Sequence, residues 1–387
     1  MNIFLICTER SGENLLHTYI KVLKELRPHA HFYCQTSYDR FVREGFENDP
    51  NMHFLADRSL CSIMGFIQPL KRFLPLLQRT RFLQQQIHIL RPALVFGFDG
   101  PDFCCRIEKT AKLLKSYTVH VVSPSVWAWR PGRVFTVEKS AHELHHLFAF
   151  EQSYYANTKL VTEHIGHPLL AKISPRLRSK APKTLLLAPG SRAQEVEAIM
   201  PSLLKIAEAL KSQKLISQIV ISRCGDLDPR LYPKESRYLT VCDDFYSAID
   251  RADFAIACSG TATLEIAAHG CPLIIMYPMR DWKKYLLSFF IKTPYIGLPN
   301  IVLGEMIAPE FLGSVNSISS DIIELASVML NASRYKEIAK NFYDKISPIV
   351  RYEQSPCLKS IVSHTLSRAS MKPAVEPLQD PLSLPVQ

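Results

Sequence analysis

The stretch from Asp253 to Tyr277 restricts the folds open to this chain more than any other part. Two short apolar runs, 254–258 and 273–277, flank a helical stretch that begins at Ser259-Gly260-Thr261. Runs of this length without charged positions are typical of strands buried on both faces. Two such strands joined by a helix form a β-α-β unit. The sequence therefore predicts an α/β fold with parallel sheets.

The turn between the first of these strands and its helix is suited to bind an anion. The N–H groups at a helix N-terminus, together with the helix dipole, favour a phosphate or diphosphate. Gly260 lets such a group approach the backbone closely. Glu265, about one turn further along, is placed to reach a sugar hydroxyl of the same ligand. An ordinary capped helix is the alternative, because short motifs often match by chance.

Length and composition indicate how the chain is divided. A chain of 387 residues is long enough for two α/β domains with complete cores. Around 172–183 the composition shifts to Pro, Ser, Lys and Arg, which is typical of a linker. We therefore predict a first domain over 1–172, a second over 173–342, and a C-terminal helix with a proline-rich tail over 343–387.

Charge and cysteine content narrow the class of protein. A net charge of +10 indicates an anionic partner, which is a nucleic acid, a nucleotide or a membrane surface. No nucleic-acid-binding module is recognised, so we do not predict a nucleic-acid partner. Ten cysteines without a C-x-x-C pair predict free thiols in a reducing cytoplasm. Met1–Cys7 is too short for a signal peptide, and no apolar run reaches the roughly 18 residues of a membrane-spanning helix.

Two segments suit contact with an anionic bilayer surface. Residues 58–98 include no Asp or Glu, and residues 280–292 combine basic side chains with aromatic and aliphatic ones. Such segments favour shallow insertion between lipid headgroups. Core-facing helices with solvated basic residues are the alternative.

Polar residues follow several of the other predicted strands. The loop 8–13, followed by a helix from Asn14, comes after the strand 3–7. Asp99 and Asp102 come after the strand 93–98, where one is suited to act as a general base and the other to cap a helix. A tight Asp-Gly-Pro turn is the alternative there. Arg192, at the N-terminus of a predicted helix 194–211, is placed to pair with a diphosphate.

Two further motifs are less specific. Trp127 and Trp129 beside Arg130 suit a wall for a sugar ring or an acyl chain, with core packing as the alternative. His142-Glu143-Leu144-His145-His146 matches the zinc-protease pattern H-E-x-x-H. That pattern needs a helix, whereas the sequence after it predicts a strand, so we predict no metal.

Taken together, the motifs resemble those of the lipid-A-disaccharide synthase family, and they occur in one order. They are Ser11-Gly12 after the first strand, Asp99-Gly-Pro-Asp102-Phe103, Ser123-Pro-Ser-Val-Trp-Ala-Trp-Arg130, Pro189-Gly-Ser-Arg192, Ser259-Gly-Thr-Ala-Thr-Leu-Glu265 and Leu298-Pro-Asn300. The likeness runs from the first strand to about residue 345.

The resemblance implies a glycosyltransferase B fold, with two Rossmann-like domains that face a cleft. It also implies transfer of 2,3-diacylglucosamine from its UDP derivative to the 6-hydroxyl of 2,3-diacylglucosamine 1-phosphate (lipid X). The products would be a β(1→6) disaccharide 1-phosphate for lipid A biosynthesis, and UDP. Such an enzyme needs no cofactor or metal and sits peripherally on the inner face of the cytoplasmic membrane. A homodimer is compatible with the resemblance.

The resemblance also assigns roles to residues. Asp99 is the expected base, Asp102 supports it, and Arg192 neutralises the departing UDP. The expected substrate-binding residues are Glu9, Ser11, Gly12, Trp127, Trp129, Ser191, Ser259, Gly260, Thr261, Glu265 and Asn300.

Two alternatives stay open. One is another glycosyltransferase or epimerase that acts on a UDP-N-acetylglucosamine-type sugar. The other is a catalytically impaired, membrane-binding paralogue, because the first loop departs from the family's usual Gly-Glu-x-Ser-Gly-Asp. In this chain Thr8 stands at the first of these positions and Glu13 at the last.

Overall fold

Two parallel sheets form the centres of two separate units. The computed structural model describes residues 1–58, 69–128, 130–171, 173–178, 180–225, 227–278 and 293–371. One unit comprises residues 1–166 together with the described residues from 356 onward, and the other comprises residues 167–355. Trp129, the segment 280–292 and part of the acid-free segment 58–98 therefore lie outside the described residues.

The first unit has a seven-stranded parallel sheet in the order β3-β2-β1-β4-β5-β6-β7. Its strands are β1 (Asn2–Cys7), β2 (His31–Thr36), β3 (Met52–Asp57), β4 (Leu94–Phe98), β5 (Tyr117–Val121), β6 (Glu143–His146) and β7 (Val161–His164). Its helices are α1 (Arg10–Leu26), α2 (Tyr38–Arg43), α3 (Pro69–Leu90), α4 (Pro101–Leu113) and α5 (Arg133–Ser140), and the chain's C-terminal helix (Leu358–Ser370) also belongs to it.

Both faces of this sheet are covered, which explains why β4 and all of β1 after Asn2 are apolar. Ile3 and Leu5 point to the face packed by α1 and the C-terminal helix. Phe4 and Ile6 point to the opposite face, which α3 and α4 cover. The second half of α3 therefore uses the apolar residues Leu83, Ile87 and Leu90 for the core. For this part of the acid-free segment, the structure agrees with the alternative interpretation, a helix whose apolar side chains face the core.

The second unit has a six-stranded parallel sheet in the order β10-β9-β8-β11-β12-β13. Its strands are β8 (Thr184–Ala188), β9 (Gln218–Ser222), β10 (Leu239–Cys242), β11 (Phe254–Cys258), β12 (Leu273–Pro278) and β13 (Glu310–Gly313). Its helices are α6 (Ala193–Ser212), α7 (Phe245–Arg251), α8 (Thr261–Ala268), α9 (Leu298–Leu303), α10 (Val315–Met329) and α11 (Ala332–Glu353). The predicted β-α-β unit is β11-α8-β12, and its two strands pair in parallel.

The expected linker is fastened to the second unit. Arg178 is buried and donates to the carbonyl oxygens of Ile249, at 3.0 Å, and of Ala252, while Arg176 donates to the carbonyl of Asp250 at 2.5 Å. These carbonyls end α7, where cationic side chains stabilise a helix. The chain thus passes to the second unit after Gly166 and returns to the first at residue 356.

The start of α1 differs from the prediction. We predicted a loop over 8–13 and a helix from Asn14, but the helix already begins at Arg10. Serine and glycine have low helix propensity, which favoured a loop. Tertiary packing overrides that preference, because Gly12 lets the first turn lie against the end of β4. A Cβ at Gly12 would stand 2.9 Å from the carbonyl oxygen of Phe98.

Among the described helices, none combines the length and the apolar character that crossing a bilayer would require.

Candidate active site

The candidate site residues of each unit lie where the strand order of its sheet reverses. In the first sheet this switch point lies between β1 and β4, and in the second between β8 and β11. Open α/β sheets bind ligands at the carboxyl ends of the strands on either side of such a point. The first switch point carries the loop after β1 and Asp99 after β4. The second carries 189–192 after β8 and 259–261 after β11.

Asp99 stands directly behind β4 and is held from two sides. Its backbone has a φ of 57°, in the left-handed region that aspartate tolerates better than most residues. Its Oδ1 accepts a hydrogen bond from the N–H of Gly100 at 2.7 Å, and its Oδ2 accepts one from the Ser11 hydroxyl at 3.2 Å. The side chain is half-buried, so it is oriented yet accessible. These are the properties of a carboxylate that can take a proton from a bound hydroxyl.

Glu9 places a second carboxylate near Asp99. It occupies the N-cap position of α1 and is half-buried. Burial raises the pKa of Glu9, and the negative charge of Asp99 raises it further, while the positive charge of Arg58 opposes the shift. The pKa of Glu9 is thus raised by its surroundings beside Asp99, as is common for carboxylic acids in active sites.

Glu13, one of the two departures in the first loop, ties three elements together. Its carboxylate is buried and accepts hydrogen bonds from Thr36 Oγ1 at 2.7 Å, from the N–H of Ser37 at 2.7 Å and from Ser37 Oγ at 2.6 Å. Arg58 Nε lies 3.0 Å from it. Burial alone would raise the pKa of Glu13, but these hydrogen bonds and the charge of Arg58 lower it to about 2. Glu13 therefore joins α1 to the ends of β2 and β3.

Thr8, the other departure, fits because residue 100 has no side chain. The Thr8 hydroxyl and methyl group pack against Gly100, and a Cβ at Gly100 would overlap the hydroxyl. Cys7 pairs with Phe98 in the β1–β4 ladder, so Thr8 and Asp99 follow at adjacent positions of the two strands. The altered loop thus still presents Ser11 to Asp99.

Asp102 has a different partner from the one we predicted for it. It lies in the first turn of α4, its side chain is 73% exposed, and it forms an ion pair with Arg133 of α5. In this arrangement Asp102 holds α4 to α5.

Trp127 is anchored to the 149–155 turn. Its indole N–H donates to Glu151 Oε1 at 3.4 Å, and its ring meets the Phe150 ring edge-on with centroids 5.8 Å apart. Glu151 in turn accepts from the N–H groups of Leu147 and Phe148, at 3.1 and 3.0 Å. Trp127 is half-buried, so part of its surface remains accessible, while the predicted role of Trp129 falls outside the described residues.

Arg192 lies at the N-cap of α6, behind β8. Its side chain is 65% exposed, and its Nη1 donates to Glu195 Oε1 at 2.6 Å. The hydrogen bond and the charge of Glu195 raise the pKa of Arg192, so the guanidinium is always charged. Gly190 adopts a φ of 108°, and Ser191 is exposed beside it. The turn thus offers a fixed positive charge at a helix N-terminus.

The turn 259–261 offers an open helix N-terminus on the neighbouring strand. Gly260 and Thr261 are exposed, and Ser259 is half-buried. Within the described part of the chain, no side chain caps the first turn of α8, and a Cβ at Gly260 would meet no atom within 4 Å. An anion therefore has room to approach these N–H groups.

Glu265 lies further along α8 and is largely buried, with 8% of its surface exposed. Its Oε2 accepts a hydrogen bond from the Tyr246 hydroxyl at 2.8 Å. Burial raises the pKa of Glu265, and the hydrogen bond from Tyr246 opposes this shift. The pKa of Tyr246 rises to about 12, through burial and then through its bond to Glu265. The hydroxyl of Tyr246 therefore remains a donor at neutral pH.

Asn300 does not fit its predicted role as a substrate contact. It is completely buried, and its Nδ2 donates to the carbonyl of Ala308 at 2.6 Å and to Glu310 Oε1 at 2.7 Å. Its Oδ1 accepts from the N–H groups of Ile307 and Ala308, at 2.8 and 2.9 Å. An amide offers two donors and one acceptor oxygen, and all of these groups are used. Asn300 therefore fixes the loop before β13.

The H-E-x-x-H motif comprises strand β6 and the residue before it, and it does not lie on a helix. His145 and Glu143 are buried, with His145 Nε2 2.8 Å from Glu143 Oε1, and Glu143 also accepts from Thr365 and Arg368 of the C-terminal helix. The motif therefore forms a buried network that fastens this helix to the sheet.

Among the described residues, one group of possible metal ligands stands together: Cys105, Glu108 and His120. His120 Nδ1 lies 2.8 Å from Glu108 Oε1, a hydrogen-bond distance, and Cys105 Sγ lies 4.0 Å from the same nitrogen. All three side chains are buried between α4 and β5. We interpret His120 and Glu108 as a structural hydrogen-bonded pair, with Cys105 packed beside it.

Comparison with known proteins identifies the family. A family model described as lipid-A-disaccharide synthetase matches residues 3–362. The chain belongs to the lipid-A-disaccharide synthetase family. This confirms the resemblance seen in the motifs, and with it the predicted class of glycosyltransferase in lipid A biosynthesis.

Individual relatives of this family agree. The chain is 31% identical to lipid-A-disaccharide synthase 2 of Legionella pneumophila over 365 residues, which cover 89% of the chain and 92% of the relative. It is 31% identical to lipid-A-disaccharide synthase of Chromohalobacter salexigens over 330 residues, which cover 81% and 83%.

A solved structure supports the fold. The crystal structure of MurG from Acinetobacter baumannii is similar to the chain with a TM-score of 0.55 at 16% identity, covering 95% of the chain and 99% of MurG. At this identity the likeness shows the fold alone. The predicted α/β fold of the glycosyltransferase B class is confirmed.

The sequence analysis missed two features of the site. They are the contact of Tyr246 with Glu265 and the contacts of Glu13 with Thr36, Ser37 and Arg58. Both depend on contacts between residues distant in the chain, such as Tyr246 with Glu265 and Glu13 with Ser37. One local signal was available, because Asp244, two residues before Tyr246, is a typical helix N-cap and so predicts that Tyr246 lies in the first turn of a helix.

Proposed function

We propose that the protein transfers 2,3-diacylglucosamine from UDP-2,3-diacylglucosamine to the 6-hydroxyl of lipid X and forms a β(1→6) disaccharide 1-phosphate and UDP. One observation carries this proposal. In each unit, the residues expected to perform the chemistry lie at the switch point of that unit's own sheet. Glycosyl transfer of this kind needs a base for the acceptor and a positive site for the nucleotide, and the two switch points supply one each.

The second unit supplies the nucleotide site. Arg192 and the N-terminus of α6 face the carboxyl end of β8, and the open first turn of α8 follows β11. Together they offer a cation and free N–H groups to a diphosphate without a metal ion. Among the described residues, Arg192 is paired with Glu195 through a single guanidinium nitrogen, so its other N–H groups remain for the phosphate oxygens.

The first unit supplies the base. The 6-hydroxyl oxygen of the acceptor attacks the anomeric carbon of the donor, and the bond from that carbon to the β-phosphate oxygen breaks. Asp99 takes the hydroxyl proton, and UDP leaves with the bonding electron pair. Ser11, which donates to Asp99 Oδ2, holds the carboxylate in place during this step.

The acyl chains of both substrates place the reaction at a membrane surface. Each CH₂ withdrawn from water contributes about 0.8 kcal/mol, so the lipids remain in the bilayer while they react. The net charge of +10 favours an anionic leaflet, and we propose peripheral binding at the inner face of the cytoplasmic membrane. Sedimentation with vesicles of phosphatidylglycerol, compared with vesicles of phosphatidylcholine, tests this part. Equal binding to both would contradict it.

The activity is tested with the purified chain and both lipid substrates. UDP release and disaccharide formation are expected only when donor and acceptor are both present. Asp99→Asn is expected to lower kcat by about 100-fold or more with unchanged binding of UDP. Arg192→Ala is expected to weaken UDP binding, because the diphosphate loses its fixed cation.

Three results would contradict the proposal. They are UDP release without an acceptor at the same rate, full activity of Asp99→Asn, and UDP affinity unaffected by Arg192→Ala. An epimerase would instead convert the UDP-sugar without releasing UDP, and an impaired paralogue would show no turnover in the unmodified protein.

A further inference from the structure

Tyr246 has a hydroxyl group that the reaction described above does not use. It lies in the first turn of α7, the helix that follows the edge strand β10 in the chain. Glu265 lies on α8, the helix that follows β11. The two residues are 19 positions apart in the chain, yet the Tyr246 hydroxyl stands 2.8 Å from Glu265 Oε2. The contact joins two helices that start at the same edge of the second sheet.

We propose that Tyr246 is a positioning residue that fixes the Glu265 carboxylate so that its other oxygen accepts hydrogen bonds from the ribose hydroxyls of UDP. This inference rests on the proposed function and names a residue that supports its nucleotide site.

The geometry leaves one oxygen of Glu265 for a ligand. Within the described parts of the chain, the side-chain contacts of Glu265 involve Oε2 alone. The backbone carbonyl of the same residue lies 2.8 Å from His269 Nδ1, so helix and side chain are both tied down. A carboxylate with one oxygen fixed by a phenol and the other open is a suitable acceptor for a vicinal diol.

The Tyr246 hydroxyl stabilises the charged form of the Glu265 carboxylate. Glu265 is buried, and an ionised carboxylate in such a place needs hydrogen-bond donors to remain charged. Tyr246 is the phenol that supplies one, and the pKa of about 12 keeps its proton in place. Among the described residues, the charged or titratable groups near Tyr246 and Glu265 are Asp244 at the cap of α7 and His269, whose ring lies 5.6 Å from the Tyr246 ring.

Tyr246→Phe isolates the role of the hydroxyl. The variant keeps the aromatic ring, which is 41% exposed and is available for stacking, and removes only the donor to Glu265. Tyr154→Phe is the matched control, because Tyr154 has a similar exposure of 45% and lies in the other unit.

The decisive experiment is a binding cycle with the full-length chain. Calorimetry measures the affinities of UDP and of 2′,3′-dideoxy-UDP for the wild type, Tyr246→Phe, Glu265→Gln and Tyr154→Phe. The wild type is expected to bind UDP about tenfold or more tightly than 2′,3′-dideoxy-UDP, because the dideoxy ligand cannot donate hydrogen bonds to the charged Glu265 carboxylate. Tyr246→Phe is expected to reduce this preference about threefold to tenfold through weaker binding of UDP alone, and Tyr154→Phe to leave it unchanged.

A second readout excludes a merely structural effect. In Tyr246→Phe the KM for the UDP-sugar is expected to rise while kcat changes little. The acid limb of kcat/KM should move to higher pH, because Glu265 loses the donor that stabilises its charged form. A fall in kcat with an unchanged KM would overturn the inference.

The outcomes separate this inference from the proposed function. If the wild type binds UDP and turns over but Tyr246→Phe discriminates against dideoxy-UDP as strongly as the wild type does, the role of Tyr246 is wrong and the function stands. If the wild type binds no UDP, the function itself is wrong and the inference falls with it.

Discussion

At the scale of single residues, the two departures in the first loop are compensated by their neighbours. Thr8 lies over Gly100, and Glu13 reaches Ser37 and Arg58. The sequence alone shows that these positions differ from the family pattern, but it does not show which residues absorb the change. The compensating contacts are formed between strands and helices far apart in the chain.

Thr8 and Gly100 are therefore expected to depend on one another. Gly100→Ala should destabilise the wild type by about 2–4 kcal/mol, since the new Cβ overlaps the Thr8 hydroxyl and the backbone there has a φ of 49°. In a Thr8→Gly background the same change should cost only the backbone strain, about 1 kcal/mol. Denaturant unfolding of the four proteins measures the coupling. Additive effects would show that Thr8 and Gly100 are independent.

The burial of Asn300 could not be predicted from the neighbouring sequence. We predicted Asn300 as a substrate-binding residue, but it is buried with its amide fully hydrogen-bonded. Whether a polar side chain points into a site or into the core depends on the elements packed around it. For Asn300 the deciding partners are Ala308, in the loop before β13, and Glu310, the first residue of β13.

At the scale of elements, the strands were the most predictable part. Those of the β11-α8-β12 unit are apolar throughout because both faces of the parallel sheet are covered, and this leaves a clear pattern in the sequence. The start of α1 was not predictable in the same way. Its first turn contains Ser11 and Gly12, which local propensity assigns to a loop, and only the packing of Gly12 on β4 makes it helical.

Gly12→Ala tests whether this packing positions the site. The added methyl group would lie 2.9 Å from the Phe98 carbonyl oxygen and 3.2 Å from Asp99 Cβ, so α1 must move away from β4. We expect a loss of about 1–3 kcal/mol in unfolding free energy and a larger proportional loss of kcat, because Ser11 moves away from Asp99. Gly132→Ala is the control, since a Cβ there would meet no atom of the described residues within 4 Å. Equal effects of the two variants would refute the packing argument.

The junction of α1, β2 and β3 is expected to depend on pH through Glu13. Its pKa of about 2 in the folded protein lies below the ordinary glutamate value of about 4.3 in the unfolded chain. A lowered folded pKa stabilises the protein above the unfolded pKa, and this contribution is lost as the pH falls from about 4.5 towards 2.

Glu13→Gln should therefore cost about 2–3 kcal/mol of unfolding free energy at pH 7, and the difference from wild type should shrink as the pH falls below 4.5. Urea unfolding at pH 7, 5, 4 and 3 measures this. The exposed Glu337→Gln is expected to match the wild type at each pH. A difference between Glu13→Gln and wild type that stays constant down to pH 3 would contradict the assignment.

At the scale of the whole molecule, the two units are built from the chain in different ways. The second unit is one continuous segment, 167–355, whereas the first needs residues from both ends of the chain. The C-terminal helix buries Val362 and Leu366 against the core of the first unit, and Thr365 and Arg368 bond to the buried Glu143. Composition and spacing indicated two domains, but a return of the last helix to the first domain leaves no local signal in the sequence.

This asymmetry predicts how the molecule can be divided. A fragment of residues 167–355 contains all six strands of its sheet and both candidate diphosphate turns, so it is expected to unfold cooperatively and to bind UDP without catalysing transfer. A fragment of residues 1–166 lacks the cover for one face of its sheet and leaves the Glu143 carboxylate without two of its donors, so it is expected to aggregate. Joining 356–371 to this fragment through a flexible linker should restore a folded protein. Circular dichroism and calorimetry with UDP measure these outcomes, and a stable fragment 1–166 would show that the C-terminal helix is dispensable.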